Sequence, residues 1–109
     1  MTEKYNLEEG MAIMKEQMPD VMSAFGPLME KVTQDGLLSA KIKRLMMVAV
    51  SVTQRCSHCI RAHVKAAVEL GASRAEILEA TGVAILMAGG PAVAQVSTVV
   101  LEALEESGV

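Results

Sequence analysis

Apolar residues recur at three- and four-residue intervals along most of the chain, and capping residues, Gly and Pro interrupt that recurrence at short intervals. Leu7, Met11, Met14 and Met18 form one stripe, preceded by Asn6 and Glu9 at capping-pair spacing. This predicts a helix from about Leu7 with a packing face. Pro19-Asp20 is expected to end that element and cap a second, which runs through Gly26-Pro27 to about Gln34 with a start or kink at the proline. Asp35-Gly36 reads as a turn. Ser39 caps a third helix from Ala40 to about Thr53, whose Ile42, Leu45, Met46, Met47, Val48, Ala49, Val50 and Val52 leave few sides polar; that pattern predicts a buried central helix. A fourth helix follows a short break at Gln54-Arg55 and ends at Gly71, which suits the left-handed C-terminal position. Ser73 and Glu76 form a capping box for a fifth, ending near Gly89-Gly90, and Pro91 fits the first turn of a last helix reaching about Glu106. The pattern is about six helices with short connections in one domain, 1-109, without repeat or linker.

Composition narrows the fold class. Of 109 residues, 51% are apolar, yet the only aromatics are Tyr5 and Phe25, so the core must be built from aliphatic side chains and nine Met. That favours close helix packing and an all-α fold. The Val-rich last helix and Val83, Ile85, Leu86 and Met87 point in several directions, more apolar surface than a small monomer buries, so a homo-oligomer is expected. A net charge of −3 without a basic run, and no aromatic platform, argue against a nucleic-acid partner. Val83 to Val100 is the nearest approach to a membrane span, but Gly89-Gly90-Pro91 divides it, so no membrane role is expected. The stretch Met1 to Asn6 lacks the basic start and apolar run of a signal peptide, which leads to a cytoplasmic expectation.

Chemistry concentrates in Cys56-Ser57-His58-Cys59 and His63, which hold every cysteine and histidine of the chain. On a helix at 100° per residue, Cys56, Cys59 and His63 fall within about 60° of one another while His58 lies near the opposite side. Ile60, Ala67 and Leu70 share the thiol face; His58, Arg61, Lys65 and Glu69 share the other. The thiols and His63 are therefore expected to face inward. A cysteine at a helix start sits where free N–H groups favour a thiolate, a three-residue spacing allows a disulfide across one turn, and His63 can exchange a proton with a thiol. This describes a dithiol redox centre needing no bound cofactor. Two other readings fit the same residues: cysteines that merely pack, and a metal site, for which the helix offers at most three convergent ligands.

The stretch from Leu38 to Ala92 resembles the alkylhydroperoxidase AhpD-like, or carboxymuconolactone decarboxylase, family. The matching residues are Leu38-Ser39-Ala40-Lys41, Ala49-Val50-Ser51, Cys56-Ser57-His58-Cys59-Ile60-Arg61-Ala62-His63, Gly71-Ala72-Ser73, Glu76-Ile77-Leu78-Glu79-Ala80 and Gly89-Gly90-Pro91-Ala92. The resemblance implies an all-α AhpD-like bundle assembling into homotrimers or homohexamers, with peroxidase (peroxiredoxin-type) or disulfide reductase chemistry drawing on a thiol reductant. It also implies roles: Cys59 is oxidised by peroxide, Cys56 is its partner, and His63 belongs to a proton relay. The family's decarboxylases lack the cysteine pair. One position departs from the pattern, because the relay's glutamate, twelve residues before the first cysteine, is here Arg44. An arginine is no base at physiological pH, although a cation can stabilise a thiolate. Glu30, Glu69 and Glu79 are carboxylates that could take the relay glutamate's place, although Glu69 lies on the outward face of its helix. A non-enzymatic helical oligomer, or a decarboxylase-like protein without redox activity, is the alternative function.

Overall fold

The computed structural model describes residues 3–109; Met1 and Thr2, the start of the amino-terminal stretch considered above, lie outside them. Six helices follow one another, and no strand occurs among the described residues: α1 (Leu7–Gln17), α2 (Pro19–Thr33), α3 (Ala40–Thr53), α4 (Ser57–Glu69), α5 (Arg74–Ala88) and α6. The last is continuous through three segments, Gly90–Gln95, a π-helical Val96–Val100 and Leu101–Glu106. The π segment was not foreseen from the sequence. The chain forms two compact units, divided between Gln34 and Asp35.

The first unit is the pair α1 and α2. The Asn6 side chain accepts from the Glu9 backbone N–H at 2.8 Å and donates to its carboxylate at 3.0 Å, the expected capping pair. Asp20 does not cap α2. Met18 holds that position and Pro19 starts the helix, since a first-turn residue needs no N–H; Asp20 lies within the first turn. The helix continues through Pro27. Neither helix contains a buried residue, and the stripe Leu7, Met11, Met14 and Met18 stays exposed, so the expected packing face is uncovered in the single chain.

The second unit has the core. Val48 and Val52 of α3, Ile60, Val64 and Ala67 of α4, Ile77 and Ala84 of α5, and Ala92, Val100, Ala103 and Leu104 of α6 are buried together. Burial of each Val, Ile or Leu side chain among them is worth roughly 1.5–3 kcal/mol, which makes this cluster the main stabiliser of the unit. α3 packs chiefly against α4 and α5, and the π segment and the end of α6 lie against α4. Contrary to the pattern-based expectation, α3 is not buried all round: Ile42, Met46 and Val50 share an exposed face. Ser39 caps α3 through the Ile42 N–H, helped by Asp35 Oδ1, which accepts from the Ala40 N–H at 2.7 Å. Ser73 and Glu76 complete the capping box of α5. The Glu76 carboxyl is held below its ordinary range, first by the Ser73 backbone N–H and then by Lys41 of α3, 3.0 Å away. Arg61 of α4 reaches Glu102 at 3.4 Å and Glu106 at 3.0 Å, tying α4 to the end of α6.

Candidate redox site

The site begins with the way α3 ends. Arg55 takes φ 55°, a left-handed conformation, so the Arg55 N–H bonds to the Val52 carbonyl at 3.1 Å and the Cys56 N–H to the Ser51 carbonyl at 3.2 Å. These are the paired bonds of a Schellman cap, and they turn the chain sharply into the next helix. Gly71 and Gly108 close α4 and α6 with the same bond pair, at φ 91° and 82°. Only at Arg55 is the position filled by a residue with a Cβ. The break at Gln54-Arg55 is visible in the sequence, but its handedness is not.

Cys56 is consequently delivered as the N-cap of α4, not as a residue within it, and its sulfur accepts from the Cys59 backbone N–H at 3.2 Å. Cys56 and Cys59 are joined as a disulfide with Cα atoms 5.2 Å apart. Both are partly buried, beside the fully buried Ile60. His58 is exposed, on the outward side as expected. Leu70, placed by the helical pattern on the inward face, is exposed instead, because it lies past the last turn of α4 in the cap.

His63 sits one turn beyond Cys59 and is partly buried against α3, where its Nδ1 is 3.0 Å from Arg44 Nη1. A guanidinium has only donors, so Nδ1 accepts, the ring proton resides on Nε2, and the imidazole is neutral. Burial, first, and the Arg44 charge, second, both hold the His63 pKa below its ordinary 6.5. Within the second unit no carboxylate is hydrogen-bonded or ion-paired to Arg44 or His63. Glu69 and Glu79 are exposed, as is Glu30 on α2. Among the described residues, no three His, Cys, Asp or Glu side chains come together as metal ligands would.

The family model for the carboxymuconolactone decarboxylase family matches residues 19–102. The chain belongs to that family. An uncharacterized protein of Cupriavidus necator is 40% identical over 73 residues, 67% of this chain; the match spans 65% of that relative's own length. Among solved structures, a family member from Legionella pneumophila superposes with a TM-score of 0.89 at 36% identity, covering 94% of this chain and 91% of the other. A Thermotoga maritima member, described as a candidate for the antioxidative response, gives a TM-score of 0.81 at 29% identity over 91% and 84% of the two chains. The all-α architecture expected from the pattern is thus that of carboxymuconolactone decarboxylase family proteins.

Proposed function

We propose that this family member is a cytosolic dithiol oxidoreductase whose Cys56–Cys59 pair passes two electrons to a peroxide or to a partner disulfide. The observation that carries the reading is the closure of the two cysteines into a disulfide at the start of α4, with His63 one turn further on. The antioxidative description of the Thermotoga relative points the same way.

The Cys59 thiolate attacks one peroxide oxygen and the O–O bond breaks; Cys59 becomes a sulfenic acid, and the alkoxide leaves as an alcohol after taking a proton from the Cys56 thiol or from water. The Cys56 thiolate then attacks the Cys59 sulfur, forming the disulfide and releasing hydroxide, which is protonated to water. An external thiol donor returns the two electrons. With a disulfide substrate, Cys56 forms a mixed disulfide that Cys59 resolves. In its neutral Nε2–H form His63 has no lone pair free to take a proton, so its contribution is a hydrogen bond donated to a neighbouring anion. This replaces the base-led relay that a glutamate at position 44 would support.

Exposed apolar residues on α1, α2 and α5 favour assembly with further copies of the chain, a homotrimer or homohexamer. The test of the redox reading is thiol counting by mass spectrometry after one equivalent of peroxide or of a small disulfide. Loss of two thiols per chain, reversed by an added dithiol, is expected. Two thiols that stay reduced and unmodified in excess of both oxidants would overturn it, in favour of a helical oligomer whose cysteines only pack.

A further inference from the structure

Arg44 is a partly buried cation whose hydrogen bond goes to a neutral imidazole and which has no carboxylate partner in its unit. A guanidinium taken partly out of water gains from an anion that comes near it. One end of its partner, His63, lies a helical turn from Cys59, close enough for the two side chains to be neighbours. In the disulfide form the sulfurs carry no charge. On reduction a Cys59 thiolate forms one helical turn from the imidazole that Arg44 holds, and a cation beside that imidazole favours it. The Cys59 N–H donated to Cys56 Sγ favours negative charge on that sulfur as well.

We infer that Arg44 stabilises the reduced dithiol and so makes the Cys56–Cys59 disulfide a readier acceptor of electrons from a partner dithiol. The inference rests on the redox reading above and adds to it a role for Arg44 in setting how readily the disulfide is reduced. In the second half-reaction a substrate thiolate attacks Cys56, the S–S bond breaks, and Cys59 leaves as the thiolate that Arg44 stabilises. The second substrate thiolate then attacks the substrate sulfur of the mixed disulfide and releases Cys56. Substrate dithiol has become a disulfide, and Cys56 and Cys59 are both reduced. With the peroxide step, the sum is peroxide plus dithiol giving alcohol, water and disulfide. Arg44 touches no reacting atom; it is a tuning residue, and the altered quantity is an equilibrium constant.

The experiment equilibrates the whole protein with 2-mercaptoethanol and its disulfide, an uncharged couple, and measures the constant for reduction of Cys56–Cys59. Arg44→Gln is expected to lower that constant about tenfold, equivalent to about 30 mV. Arg44→Lys, which keeps the charge, should restore it to within about threefold of wild type, an outcome that loss of packing alone does not produce. The thiolate absorbance of the reduced protein should titrate at higher pH in Arg44→Gln than in wild type or Arg44→Lys. A second measurement needs no variant: raising salt from about 0.01 M to about 1 M should lower the wild-type constant about threefold by screening the charge. A wild type that cycles with the couple while its constant responds neither to Arg44→Gln nor to salt overturns this inference and leaves the redox reading standing. If Arg44→Gln fails to fold, the salt series decides. A wild type that never forms the disulfide reversibly overturns both.

Discussion

Arg55 supplies the left-handed turn that sets Cys56 at the head of α4, and it does so with a side chain that this conformation penalises. The two equivalent caps use Gly71 and Gly108. Arg55→Gly should therefore stabilise the chain by about 0.5–1 kcal/mol in reversible urea unfolding, with the disulfide intact. A loss of stability would mean that the Arg55 side chain makes a contribution larger than its backbone cost. At His63 the relevant variable is pH. Its pKa is lowered in the folded chain, by burial and then by Arg44, so the unfolded chain binds more protons once pH drops below the ordinary 6.5. The stability this represents is complete above about pH 6.5 and declines as pH falls through the lowered folded value. Arg44→Gln removes the smaller of the two causes and should lessen that decline without abolishing it, measured as unfolding free energy between neutral pH and about pH 5. An unchanged pH slope would detach Arg44 from the imidazole. The cysteines and His63 could be placed on one face from a 100° rotation per residue, which is local information. The Arg44 to His63 bond spans α3 and α4 and depends on their packing, which no periodicity in the chain records.

Helix boundaries were legible where short-range hydrogen bonding sets them. Asn6, Ser39 and Ser73 each cap the helix expected of them, since a cap needs only a side-chain oxygen and a free N–H two or three residues on. Ser73→Ala should cost about 1 kcal/mol, read from the unfolding midpoint at constant denaturant dependence; no change would show that Glu76 and Lys41 hold the turn without it. Asp20 failed as a cap because Pro19 already occupied the first helical position. The π segment Val96–Val100 was illegible for another reason. It contains the buried Val100, Ser97 and Thr98 both bond back to the Ala94 carbonyl, and a wider turn of this kind has no counterpart in the spacing of apolar residues. Between α5 and α6, Gly89 takes φ 70° and ψ −142°, a conformation that side chains oppose, while a Cβ there would meet no atom within 4 Å. Gly89→Ala should thus destabilise by about 1–3 kcal/mol through the backbone alone. An alanine variant as stable as wild type would show that the junction relaxes into another turn.

At the scale of the molecule, amphipathic patterning identified which faces are apolar but carried no information about what covers them. Leu7, Met11, Met14 and Met18 form the stripe the sequence announced, and they remain exposed together with Val21, Phe25, Leu28 and Val32 of α2. In the second unit Leu86 is 83% exposed and Met87 77%, although α5 is otherwise anchored by Ile77 and Ala84 in the core. Isolated exposed apolar residues are ordinary on a soluble surface; runs of them on three helices are not, and each covered side chain would contribute roughly 1.5–3 kcal/mol. Further copies of the same chain are the simplest cover, since they bring the same apolar faces. Sedimentation equilibrium should therefore give a mass that is a multiple of 11.6 kDa, with a thermal midpoint that rises with protein concentration. Replacing Leu86 and Met87 together by Glu leaves every buried core residue in place, so the helical content should persist while the assembly weakens or dissociates, because a carboxylate buried without a partner opposes association. A species of 11.6 kDa across the concentration series, with a midpoint independent of concentration, would sink the oligomer and leave these faces to a different partner.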